Sequence, residues 1–151
     1  MSTRRETLKR SAAVASLLAA AGFPQFAQAA FNKPAFEAKS VKDAIKAAGG
    51  ASLVESKDVI LTAPDVAENG AVVPMGMSTA LPGVKAMLLL VEKNALALAA
   101  IFHSSEALDN NFATRIKMGQ TSDVYAVALM ADGKALWAKI EVKVTLGGCG
   151  D

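Results

Sequence analysis

The chain has 151 residues, room for one ordinary domain and little more. It carries 16 basic and 14 acidic side chains, a formal charge of +2, with one histidine and one cysteine. A lone cysteine excludes an internal disulfide. One histidine and one thiol supply too few ligands for a structural zinc site or a blue-copper centre.

The first 29 residues read as an export leader. Ser2 to Arg10 is basic, Ser11 to Ala21 is a short alanine-rich apolar run, and Ala27-Gln28-Ala29 has the pattern of a cleavage site. The apolar run is about half of the roughly 20 residues a membrane helix needs, so no stable membrane insertion is expected. Arg4-Arg5, with Ser2-Thr3 before and Leu8-Lys9 after, resembles a twin-arginine signal, which exports folded protein to the periplasm. The plainer alternative is an ordinary secretory signal containing two arginines. The leader holds four of the 16 cations (Arg4, Arg5, Lys9, Arg10) and one of the 14 acids (Glu6). What remains has 12 against 13, a net charge of −1. No concentrated positive face is left to argue for nucleic acid.

After an extended lead-in from Phe31 to Pro34, Ser40-Val41-Lys42-Asp43 offers a helix N-cap with an acid three residues on. Val41, Ala44, Ile45 and Ala48 keep helical spacing, and Gly49-Gly50 stops the helix. The period then changes. Val59-Ile60-Leu61 is a short strand, and Gly70 to Met77 is another, with Pro74 implying an edge or a bend. Met75-Gly76-Met77 within it reads as packing. Ala86 to Glu92 and Leu96 to His103 form a hairpin around Lys93-Asn94. Met87 to Val91 is apolar without alternation, so this strand is central or covered by another protein. Phe112, Thr114, Ile116 and Met118 share one face of the next strand, and Val124 to Met130 follows. Asp132-Gly133 marks a tight turn into the last strand. There Ile140, Val142, Val144 and Leu146 alternate with Lys139, Glu141, Lys143 and Thr145, and Trp137 is a core anchor. About seven strands and one short helix predict a mainly β fold, an antiparallel immunoglobulin-like two-sheet sandwich over 30–146.

Residues 147–151 then form a flexible arm, Gly147-Gly148-Cys149-Gly150-Asp151. Gly147, Gly148 and Gly150 cannot pack a side chain and leave the sulfur sterically open. Five extended residues span about 15–18 Å. An unpaired thiol in an oxidising compartment is buried and inert, paired with another chain, or kept for its chemistry. Cys149, on such a tail, reads as a reactive group on a swinging arm and is the expected point of covalent substrate attachment. His103, at a strand end, reads as a surface residue. No Ser-His-Asp set, carboxylate pair or phosphate-binding loop is evident, so the chain reads as a substrate carrier and not an enzyme. No catalytic residue, metal or cofactor of its own is expected.

The ending Val142-Lys143-Val144-Thr145-Leu146-Gly147-Gly148-Cys149-Gly150 resembles the C-terminal signature of the SoxY family, sulfur carriers of the bacterial thiosulfate-oxidising (Sox) system. The segment from Ala63 to Pro74 looks similar too, as do Thr114 to Met118 and Thr121 to Val124. The resemblance implies a heterodimer with a SoxZ-like subunit. It also implies three transient partners: a haem-containing enzyme that couples thiosulfate to Cys149, a hydrolase that releases sulfate, and a sulfane dehydrogenase. The family tail usually ends in glycine. Asp151 instead brings negative charge near the sulfur, which would raise the thiol pKa. Two other classes compete, an exported binding or adhesion sandwich and a thiol relay working through mixed disulfides.

Overall fold

The computed structural model describes residues 4–7, 9 and 32–147. The chain divides into two units, Met1–Phe31 and Asn32–Asp151. In the first, residues 4–7 are helical and exposed. The remaining description concerns the second.

Helix α1 (Lys33–Glu37) occupies part of the expected extended lead-in. Asn32 caps it by accepting from the Ala35 amide, and Pro34 lies in the first turn, where its missing N–H costs nothing. Asn32 Nδ2 also donates to the Ala47 carbonyl at 2.9 Å, which ties the start of α1 to the end of α2 (Val41–Ala47). At the start of α2, the Ser40 hydroxyl accepts from the Asp43 amide and donates to the Asp43 carboxylate. Its far end turns through Gly49, φ 105°, and the Gly50 amide bonds back to the Ile45 carbonyl at 2.9 Å.

Nine strands follow: β1 (Ser52–Glu55), β2 (Val59–Thr62), β3 (Val66–Ala67), β4 (Val73–Thr79), β5 (Val84–Val91), β6 (Leu98–His103), β7 (Asn111–Ile116), β8 (Ser122–Met130) and β9 (Lys134–Val144). The larger sheet has the order β1-β9-β8-β5-β6, with β3 also paired to β9, and the smaller has the order β2-β4-β7. The expected hairpins are present: β5 pairs with β6, and β8 with β9 through a turn whose Gly133 has φ 90°. Two strands were not expected. β1 and β3 both run parallel to β9, the first against its N-terminal half and the second against its C-terminal end. All four β1 residues are exposed, so no alternation betrays it.

The sandwich accounts for the uniformly apolar β5. Met87, Leu89 and Val91 face the smaller sheet, packing in one cluster with Val59, Leu61, Val73, Met75, Met77 and Ile116. Ala86, Leu88 and Leu90 belong to a second cluster with Ala35, Ala44 and Ile45 of the two helices. The strand is therefore central and covered on both faces by its own chain, so it gives no argument for a partner. Met75 and Met77 are core residues, as expected. Trp137 is half-buried in the helix-side cluster, tilted against Tyr125 with ring centroids 5.7 Å apart.

Leu88 is 0% exposed and Ile60 57%. Leu88→Ala should lower unfolding free energy by about 2–5 kcal/mol, whereas Ile60→Ala should stay within about 0.5 kcal/mol, both read from urea melts. Burial, reinforced by the Glu92 carboxylate, pushes the Tyr125 hydroxyl above the ordinary value of 10.0. The folded state thus favours the neutral phenol; that stability is present below the unfolded value and lost as pH rises through the folded one. Tyr125 is the chain's one tyrosine, so phenolate absorbance in an alkaline titration should rise later in folded than in denatured protein.

Candidate functional site: an anchored strand end ahead of the cysteine

Of the expected site residues, Gly147 is described and half-buried, while Gly148, Cys149 and Gly150 lie outside the described residues. The observable part of the site is how the chain is held immediately before them. The Lys143 amide donates to the Asp65 carbonyl at 3.0 Å and the Thr145 amide to the Ala67 carbonyl at 3.1 Å. Between them the Val144 amide points the other way, to Thr121 Oγ1 at 2.9 Å. This alternation puts β3 and β8 on opposite edges of β9, so the strand is bonded on both sides almost to its last residue.

Beyond β9 the anchoring continues through one loop. Thr145 Oγ1 donates to the Glu68 carbonyl at 3.2 Å. The Gly70 amide donates to the Leu146 carbonyl at 2.7 Å, and the Gly70 carbonyl accepts from the Met118 amide at 2.7 Å. Asn69 shapes this loop, its Oδ1 accepting from the Ala71 amide at 2.9 Å. Asp65 to Gly70, from one of the segments that carried the family resemblance, is thus the holder of the strand end. Sequence reasoning saw that segment without a role, because backbone bonds between residues almost eighty positions apart leave no local pattern. Leu146 corrects one expectation. It extends the alternation of β9 on paper, yet it lies past the strand end and is 66% exposed.

His103 sits at the far end of the larger sheet. It is paired with Ala86, Ala86 with Leu129, and Leu129 with Ala135, whereas the exit is at Val144. Nine residues of β9 separate these levels, about 30 Å at roughly 3.3 Å each. Cys149, five residues after Val144, reaches at most about 18 Å from it. His103 is therefore out of range as a base for the thiol. Among the described residues no group of three His, Cys, Asp or Glu is placed to hold a metal, and no helix is long and apolar enough to cross a membrane. Concave surfaces among the described residues include one of about 870 Å³ over Gly76 on the smaller sheet and one of about 550 Å³ between α2, Leu53, Tyr125 and Trp137. Neither is lined by Lys143 to Gly147.

A two-sheet sandwich whose final strand is bonded on both edges and leads into a cysteine-bearing tail defines the class. The family described as "Sulfur oxidation protein SoxY" matches residues 45–149, a range that ends on Cys149. The chain belongs to the SoxY family. Its structure is similar to the sulfur carrier protein SoxY from Chlorobium limicola f thiosulfatophilum, at 31% identity and a TM-score of 0.64, over 71% of this chain and 97% of that one. A superoxide reductase (neelaredoxin) from Ignicoccus hospitalis shares the fold alone, at 12% identity and a TM-score of 0.51 over 57% of this chain and 79% of that one. No curated protein matches the chain.

The Thr121 hydroxyl is the acceptor that closes the β8 edge beside Val144. Thr121→Val should leave that amide unpaired and cost about 0.5–1.5 kcal/mol in urea unfolding, with Thr121→Ser recovering most of it.

Proposed function

We propose that the protein is a carrier in sulfur oxidation that holds thiosulfate-derived sulfur covalently on Cys149 and presents it to separate enzymes. The observation that carries this reading is membership of the SoxY family over a range ending on Cys149, together with a strand end firmly bonded up to Leu146. Similarity to a protein described as a sulfur carrier supports the same reading.

The chemistry follows from the thiol. Coupling joins the Cys149 sulfur to the outer sulfur of thiosulfate. The thiol proton goes to solvent and two electrons go to the haem-containing coupling enzyme, leaving a cysteine S-thiosulfonate. Water then attacks the sulfonate sulfur, which leaves as sulfate, and the sulfane sulfur keeps the electron pair of the broken S–S bond as a persulfide. A sulfane dehydrogenase then removes six electrons from that outer sulfur while three waters supply its oxygens, and a second hydrolysis releases it as sulfate and returns the free thiol. The domain provides no acid, base or metal for these steps in this reading; it holds the strand end while other proteins act. A SoxZ-like subunit completes a heterodimer, and the leader at 1–29 takes the folded protein to the periplasm.

The test is intact mass of the protein purified from thiosulfate-grown cells, before and after reduction. Reducible additions equal to thiosulfonate or to added sulfur atoms should appear on the parent and be absent from Cys149→Ser. An unmodified thiol under both conditions would contradict the carrier reading.

A further inference from the structure

The concave surface beside α2 has a floor, two walls and two unlike ends. Its floor is Trp137 on β9 and Tyr125 on β8, tilted against each other with ring centroids 5.7 Å apart. One wall is α2, through Val41 and Ile45. The other is Leu53 on β1. Leu53 is paired with Ala135, which is buried in the helix-side cluster, so its side chain lies on the same face as Trp137. At one end the walls converge, because Gly50 and Ala51 join α2 directly to β1. There the Gly50 amide bonds to the Ile45 carbonyl and the Ala51 amide to the Gly133 carbonyl. At the other end stand Lys39, Lys42 and Glu92. The Ala38 carbonyl accepts from the Ala97 amide and the Ala97 carbonyl from the Val91 amide, which sets Lys39 and Glu92 at the same mouth.

The volume of about 550 Å³ falls within the roughly 300–1,000 Å³ of small-ligand sites. The lining also has their composition, apolar and aromatic side chains with a few charges placed together. Leu53 is 42% exposed and both aromatic rings are half-buried, so apolar surface stays open here although covering it would stabilise the fold. Charge decides which kind of ligand fits. Two cations accompany one carboxylate in the lining, and none of the three is in an ion pair among the described residues. The next cation, Lys139, lies 5.8 Å from the Tyr125 ring centroid and is already held by Asp123 at 2.8 Å. Glu55, beside Trp137 on the same face, is outside the lining. The surplus of one positive charge disfavours a cationic ligand and matches a single acidic group.

We infer that this groove binds a small amphiphilic anion, a carboxylate or sulfonate on an aromatic or short aliphatic body. The body lies over Trp137 and Tyr125 between Ile45 and Leu53, and the acidic group sits at the mouth with Lys39 and Lys42. The lining is built from α2, β1, β8, β9 and residues flanking them, and the inference stands independently of the carrier reading.

The experiment uses the full folded chain and two probes built on the same rings, 1-anilinonaphthalene-8-sulfonate and the uncharged N-phenyl-1-naphthylamine. Trp137 is the chain's one tryptophan, so quenching of its emission reports occupancy of the floor. The sulfonate should quench Trp137 saturably, and the uncharged probe should bind about tenfold or more weakly. The double variant Lys39→Gln with Lys42→Gln should lose about tenfold or more in affinity for the sulfonate and stay within about twofold for the uncharged probe. Leu53→Ser should weaken both probes by about threefold or more. Lys85→Gln and Ile60→Ser, outside the groove, should match the parent. All five positions are exposed, so these substitutions leave the core intact. Equal affinity for the two probes would overturn the assignment of an anion, as would sulfonate binding that the lysine pair does not alter. Sulfonate binding that leaves Trp137 emission unchanged, or no saturable binding, would overturn the groove as a site.

Discussion

The backbone pairing of β9 is the constraint on which the rest depends. A strand of eleven residues is long for a small sandwich, and its two edges must both be satisfied or left open to pairing with other chains. Here β8 occupies one edge for most of its length. The other is taken only at its two ends, by β1 against Lys134 to Trp137 and by β3 against Lys143 and Val144, both parallel, each too short to pair with the whole strand. Completing the C-terminal end of that second edge is what draws Asp65 to Gly70 against Lys143 to Leu146. The holding loop is thus a consequence of finishing the sheet, and the exit point of the tail is where the sheet runs out of partners.

The middle of the sheet makes such an end rigid. β5 and β8 carry buried side chains on both faces, against the smaller sheet through Met87, Leu89, Val124 and Ala126, and against the helices through Leu88, Leu90 and Val127. The helices need little sequence to do this. Two short capped turns joined by Asn32 cover one face with Ala35, Ala44 and Ile45. Gly50 lets the chain pass from α2 to β1, because a Cβ there would sit 2.5 Å from Ile45 Cγ2 and 3.2 Å from Ala135 Cβ.

Much of this is legible in the residues alone. Alternation located β9, Asp132-Gly133 located its turn, Ser40 and Asp43 located α2, and the tail announced itself by its glycines and thiol. Other parts are hidden for physical reasons. β1 has no buried face to impose a period of two, and β3 is too short to have one. α1 begins with a proline that suggests extended chain but is harmless in a first turn. Leu146 continues the rhythm of β9 although the sheet has ended. The double coverage of β5 could not be told from coverage by a partner until the helices were placed. Within the proposed site, Cys149 stands out in the sequence by its type and neighbours, whereas the loop that holds the strand end is built from backbone groups, which every sequence supplies. Resemblance alone drew notice to that loop.

The reach of Cys149 is measured from the point where the held chain stops. Amide hydrogen exchange, resolved at single residues, measures it directly. The account predicts that the Gly70, Lys143 and Thr145 amides exchange on the slow timescale of central β8 amides such as Val127. Exchange of Lys143, Thr145 and Gly70 at the rate of an unstructured chain would contradict it. The arm would then begin inside β9, and a fixed exit would not survive.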